Sequence, residues 1–274
     1  MTSTAPVTAG TLDVPDGTVY YEIRGSGPLL ALVGAPMETA PFAPVADLLA
    51  AEYTVLTHDP RGHGKSVLND PAKESTPELR ADDLANLLTH LGLGPAVVVG
   101  SSGGAITGLA LAIAHPELVQ TLVAHEPPVR ELLEDRVELR AVTEDVIATY
   151  SSGDLLGAVR KFFVMTGLDI PEAALQQMVG GERDTRTAES EAFFYEHEMR
   201  GTSGWIPDIA ALRATPTRII IGIGETSAGK FCDRTSRALA EALSLEPVIF
   251  PGGHGGFMET PEAFAKVTSD VLAD

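Results

Sequence analysis

Val97-Val98-Val99-Gly100-Ser101-Ser102-Gly103-Gly104 joins a β-branched run to a serine bracketed by glycines. The run starts at Ala96 and reads as a strand buried on both faces. Residues 104–115 are small and apolar throughout, which predicts a buried helix. A G-x-S-x-G set between such a strand and such a helix implies a sharp turn that lifts the middle serine above the sheet. Gly100 and Gly104 leave room for strand and helix to approach closely. Ser102 then stands at a helix N-terminus, where free N–H groups and the helix dipole favour developing negative charge. Ser101 has the wrong spacing to the glycines for this role. A plain Gly-Ser turn into a helix is the bland alternative, and the strand-to-helix context argues against it.

Working outward, short apolar runs recur at residues 18–23, 29–33, 53–57, 122–124, 218–221 and 247–250. Residues 77–91 carry leucines at helical spacing, and further helices are expected at 233–243 and 261–272. Strands alternating with helices predict an α/β fold with a mostly parallel central sheet and helices on both faces. Between about residues 128 and 212 strands vanish and amphipathic segments appear at 139–150, 155–166, 171–179 and 189–200. The expected organisation is a core formed by residues 1–128 and 213–274, with a helical cap at 129–212.

A serine hydroxyl needs a base, and histidine is the usual one. Of seven histidines, His254 stands in Pro251-Gly-Gly-His-Gly-Gly256, after the last strand and before the last helix. That places it at the C-terminal edge of the sheet, where sites of open α/β sheets form. His63 lies in Arg61-Gly-His-Gly-Lys-Ser66 and reads as a turn residue. This stretch ends like a phosphate-binding loop, but Asp59 stands where the first glycine should be, so phosphate binding is rejected. Two carboxylates can orient His254: Glu126, after the strand that follows the serine helix, and Glu225, after the next core strand. Spacing alone does not choose between them. An oxyanion hole needs two backbone N–H donors. Gly103 supplies one, and Ala35 is the choice for the other, because Pro36 has no N–H. No two histidines stand at helical ligand spacing and no Cys/His cluster is visible in the sequence, so no metal is expected. Trp205, the one tryptophan, is a candidate substrate contact, with a packed aromatic as its bland alternative.

Composition limits the partners. With 38 acidic against 19 basic residues the formal net charge is −19, which repels nucleic acid and anionic membrane surfaces. No apolar run approaches the ~20 residues that span a bilayer. Residues 1–10 show neither a basic nor an apolar segment of a secretion signal, so the expected location is the cytoplasm. The single cysteine, Cys232, precludes an intrachain disulfide and reads as a packed thiol.

Together, Asp59-Pro-Arg-Gly-His-Gly-Lys-Ser66, Gly100-Ser-Ser-Gly-Gly104 and Pro251-Gly-Gly-His254 resemble the α/β-hydrolase superfamily from Thr18 to Leu272. The resemblance implies a Ser–His–acid triad, a cap over the site and no cofactor. A narrower likeness, carried by Ser101-Ser-Gly103 and His125-Glu-Pro-Pro128, is to fungal zearalenone lactonases and related actinobacterial hydrolases. In that group the acid follows the strand after the serine helix, which implies Glu126. The more usual family placement implies Glu225. One departure is Val33-Gly34 where the family commonly has His-Gly. The expectation is a serine esterase or lactonase with Ser102, Glu126 and His254 as catalytic residues. Its partner would be a small-molecule ester or lactone, with a homodimer left open. The rivals are C–C bond hydrolysis, acyl transfer or cofactor-free oxygenation on the same fold, and a non-catalytic ligand carrier. Dehalogenase and epoxide hydrolase chemistry is excluded, because a serine occupies the place where both need a carboxylate.

Overall fold

The computed structural model describes residues 6–168, 170–181 and 183–273, so residues 1–5 of the stretch read for a secretion signal lie outside the described residues. The expected α/β architecture is present. Strands β1 (Val7–Val14), β2 (Gly17–Arg24), β3 (Leu29–Val33), β4 (Thr54–His58), β5 (Val67–Leu68), β6 (Ala96–Ser101), β7 (Val119–His125), β8 (Arg218–Gly224) and β9 (Val248–Phe250) form one sheet. Its order is β1-β2-β4-β3-β6-β7-β8-β9, with β5 paired to β2. From β4 to β9 every neighbouring pair along that path is parallel, whereas β2 pairs antiparallel with β1, β4 and β5.

The parallel strands are apolar on both faces because helices cover both. Alternate residues of β3 point opposite ways. Leu29, Ala31 and Val33 join a core with Leu84 and Leu88 of α2 (Pro77–Leu91), Leu109 of α3 (Gly103–Ala114) and Leu239 of α10 (Phe231–Leu243). Leu30 and Leu32 join the other core, with Phe42 and Leu49 of α1 (Thr39–Leu49), Phe257 of α11 (Gly256–Glu259) and Phe264 of α12 (Pro261–Ala273). The cap-region helices α4 (Arg136–Ser151), α5 (Leu155–Thr166), α6 (Glu172–Val179), α7 (Thr185–Phe193), α8 (Met199–Ser203) and α9 (Ile209–Ala214) lie between β7 and β8.

Three elements differ from the expectation. β1 is an edge strand with mostly exposed residues, so it lacks the apolar run that marks a buried one. α1 carries Pro41 and Pro44, which read as breakers. Pro41 falls in the first turn, where no helical N–H is needed, and the buried face of Phe42, Val45 and Leu49 outweighs the bond lost at Pro44. The segment expected as one helix at 189–200 is α7, a π-helical turn (Phe194–Glu198) and α8.

The π turn carries Glu198, 1% exposed, into the protein interior. Its Oε2 lies 2.8 Å from His63 Nε2, 3.3 Å from Ser75 Oγ and 3.9 Å from Arg80 Nη1. Arg80, 2% exposed, also donates to Thr202 Oγ1 of α8 and Thr107 Oγ1 of α3. Thr107 donates in turn to the Gly103 carbonyl. This chain ties the cap to the start of the serine helix. Arg80→Leu leaves the Glu198 carboxylate buried with its arginine gone. It is expected to cost about 3–5 kcal/mol in urea unfolding. A cost below about 1 kcal/mol would show that the network carries little of the stability.

Candidate active site

Strand register builds the site. Ser101 pairs with His125, and His125 pairs with Gly222, so β6 and β7 end level and β8 runs two residues farther to Gly224. The next residue after β6 is Ser102, and the next after β7 is Glu126. β9 pairs Phe250 with Gly224, and its exit loop brings His254 back over the same edge.

Ser102 has φ 57° and ψ −125°, in the positive-φ region that a side chain rarely adopts. Its N–H donates to the His125 carbonyl at 2.9 Å, and its own carbonyl accepts the Ala105 N–H at 2.9 Å. Glycines allow this turn. A Cβ on Gly104 would stand 2.0 Å from the Val33 carbonyl oxygen, and one on Gly100 would stand 2.4 Å from the Gly104 carbonyl oxygen. Ser101 instead points into the interior, 2% exposed, with Oγ 3.3 Å from His125 Nδ1.

Glu126 is fully buried and also has positive φ, 51°. Its N–H donates to the Gly222 carbonyl, and its Oε1 accepts the Gly224 N–H at 2.9 Å. Its Oε2 lies 2.6 Å from His254 Nδ1, which donates to the carboxylate. Burial opposes the charge on Glu126. The hydrogen bond and positive charge of His254, aided by His125 and Ser227, outweigh it and hold the carboxyl down at about 2. For His254, burial acts against the charged form, but the Cys232 sulfur and the Glu126 carboxylate overcome it and raise the imidazole above its ordinary value. Glu225, the other sequence candidate, is exposed in a short turn after β8.

Ser102 and His254 line one cavity of about 640 Å³, together with Ala35 and Gly103. Among the described residues no hydrogen bond joins Ser102 Oγ to the imidazole; such contacts commonly tighten only around substrate. Neither the Ala35 nor the Gly103 N–H donates to a protein acceptor among the described residues. Gly103 opens α3, so its N–H has no partner within the helix. The two residues touch: a Cβ on Gly103 would stand 2.4 Å from the Ala35 carbonyl oxygen. The remaining wall is mostly apolar, with Phe162, Phe163 and Met165 of α5, Phe194 of the π turn and Met199 of α8.

Two expectations need correction. Trp205 is not among the cavity residues. It packs in the core beneath α2 and α3, and its Nε1–H donates to Glu78 at 2.7 Å. The sequence also shows no Cys/His cluster, yet the fold brings Cys232 to the Glu126–His254 pair, with ligand atoms of all three within 4.8 Å of one another. Cys232 lies more than a hundred residues from Glu126 in the chain, so no local spacing signals this. His63, expected in a turn, stands in one and also lines the cavity, which its local sequence does not signal.

Comparison with known proteins adds the following. A model of the Alpha/beta hydrolase family matches residues 29–267. The chain is 33% identical over 270 residues to the uncharacterized hydrolase YraK of Bacillus subtilis (strain 168), covering 96% of this chain and 95% of the relative. It is 28% identical over 277 residues to the zearalenone hydrolase of Bionectria ochroleuca, covering 94% and 96%. Among solved structures, an alpha/beta hydrolase from Sphaerobacter thermophilus DSM 20745 superposes with a TM-score of 0.69 at 25% identity, over 96% of this chain and 100% of the other. No helix among the described residues is long and apolar enough to cross a membrane.

Proposed function

The chain belongs to the alpha/beta hydrolase family, and from that premise we propose that it cleaves carboxylic esters or lactones through an acyl-enzyme on Ser102. The observation that carries this reading is the 2.6 Å contact between His254 Nδ1 and Glu126 Oε2, made at the cavity that Ser102 lines. With Nδ1–H donated to Glu126, Nε2 of a neutral ring is an acceptor. It removes the Ser102 proton as Oγ attacks the substrate carbonyl. The carbonyl oxygen becomes an oxyanion, held by the Ala35 and Gly103 N–H groups. The imidazolium, stabilised by Glu126, then gives its proton to the departing alkoxide. Water repeats the sequence on the acyl-enzyme, releasing the carboxylic acid and restoring Ser102. The 28% likeness to a zearalenone hydrolase supports a lactone among the substrates.

Incubation with a fluorophosphonate is expected to add one phosphonyl group on Ser102, seen by peptide mass spectrometry. An ester and lactone panel is expected to give turnover that the label abolishes. Cleavage of a diketone with no ester or lactone turnover would replace this reading with C–C bond hydrolysis.

The pH dependence follows from His254. The base must be neutral, and its neighbours raise it above the ordinary 6.5. The kcat/KM for a neutral ester is therefore expected to rise with pH, with its midpoint above 6.5. A midpoint at or below that value would mean that burial, and not the neighbouring Cys232 and Glu126, sets the protonation of the ring.

A further inference from the structure

The cavity has a polar corner formed by residues that the proposed mechanism does not use. Among the described residues no lysine or arginine lines the cavity, and Glu38, His63 and Ser190 stand together among the polar residues, Glu191, Tyr195 and Glu259 included, that interrupt its mostly apolar wall. Glu38 follows the Ala35-Pro36-Met37 loop and is half-buried. Its Oε1 accepts from Ser190 Oγ at 3.3 Å, and Ser190 Oγ accepts the Gly64 N–H at 2.9 Å. The Glu38 carboxyl lies against Gly64, where a Cβ would stand 2.8 Å from Glu38 Cδ. His63, 2% exposed, is the residue before Gly64; it lines the same cavity and its ring is close enough to act on the Glu38 carboxyl.

Each group has bonding capacity left over. Glu38 Oε2 accepts no protein donor among the described residues, and neither does His63 Nδ1. His63 is pinned by Glu198 at Nε2 and by the edge-on ring of Phe193, with centroids 5.3 Å apart. A neutral ring that donates Nε2–H to Glu198 presents Nδ1 as an acceptor. The corner is therefore rich in acceptors, rigidly held, and set in an apolar cavity. Burial and the nearby Asp59 push the Glu38 carboxyl up, so an added hydrogen-bond donor relieves the cost of its charge.

We propose that Glu38, His63 and Ser190 form a subsite that binds a hydroxyl group of an uncharged substrate. This rests on the reading that the cavity holds the substrate of Ser102. An anionic substituent would face Glu38 with no lysine or arginine among the described cavity residues to pair with it. An ammonium would give up its hydration to a mostly apolar wall, where Glu38 is already shared with Ser190 and the two other lining carboxylates are held elsewhere, Glu191 by Arg183 and Glu259 by the Gly253 N–H. A hydroxyl donates to the carboxylate and leaves nothing charged unpaired.

Calorimetry on the Ser102→Ala protein measures the subsite without turnover. The probes are matched uncharged aryl esters and lactones, one of each pair bearing a single hydroxyl where the other has hydrogen. At least one hydroxylated probe is expected to bind about tenfold or more tightly than its partner, as a hydrogen bond to a charged acceptor gives. Adding Glu38→Ala is expected to cut that advantage below about threefold, and adding Ser190→Ala to lower it by about threefold. An advantage under threefold for every pair, or one that survives both substitutions, overturns the subsite. Tighter binding of an ammonium analogue than of the hydroxyl probe overturns the hydroxyl assignment. Absence of ester or lactone turnover by the native enzyme would instead sink the hydrolase reading, and the binding comparison would still decide the subsite.

Discussion

Ser102→Ala is expected to lower kcat for ester or lactone turnover by about 10⁴-fold or more, with little change in melting temperature. The loss is large because the neighbouring hydroxyl, Ser101, is buried against His125 and is not among the cavity residues. Stability is expected to hold because Ser102 Oγ makes no hydrogen bond among the described residues, and alanine meets the same backbone strain at φ 57° as serine does. The expected stability change is within ~0.5 kcal/mol. Ser102→Gly is the companion. It removes the same nucleophile but releases strain at a positive-φ position, so it should melt higher than Ser102→Ala. Retained turnover in either variant, with intact folding, would remove Ser102 from the chemistry. Retained ligand binding with no turnover in the native protein would favour a carrier.

The sheet and the serine turn were legible because their signals are local. A both-face-buried strand must be apolar without interruption, and a tight turn into a packed helix must carry glycines where backbones nearly touch. The Gly100 and Gly104 contacts are the physical content of that pattern. β1 and α1 were not legible for the opposite reason. One has no buried face to mark it, and the other tolerates Pro44 only because its partners in the second core repay the missing bond. The choice between Glu126 and Glu225 was beyond spacing, since both follow core strands. Resemblance favoured Glu126, and strand register sets its carboxylate against His254. Trp205, Cys232 and the Glu198 network depend on contacts between segments distant in sequence. Helical periodicity says which face of a cap helix is buried, not what it meets.

Glu126→Gln, compared with Glu225→Gln, is the sharpest test of the acid. Glutamine keeps the shape but not the charge, and its amide N–H₂ turned toward His254 favours the tautomer with the proton on Nε2. That ring cannot accept the Ser102 proton, so kcat is expected to fall about 10³–10⁴-fold. Glu225 is solvent-exposed and, among the described residues, makes no hydrogen bond or ion pair with His254, so its substitution should change kcat by less than about twofold. The stability readout has a definite sign. The Glu126 carboxyl falls from 4.5 to about 2 on folding, which corresponds to about 3 kcal/mol at ~1.4 kcal/mol per decade. A lowered folded-state pKa stabilises above the unfolded value and is lost as pH falls through the folded one. The gap in unfolding free energy between native protein and Glu126→Gln should therefore open as pH rises from about 2 to about 5. His254 is raised rather than lowered, so its side of the same contact is present below pH 6.5 and fades as the ring deprotonates at higher pH. A collapse of turnover in Glu225→Gln, with Glu126→Gln keeping more than a tenth of its activity, would move the acid to the usual family position. The buried 126–254 contact would then have a purely structural role.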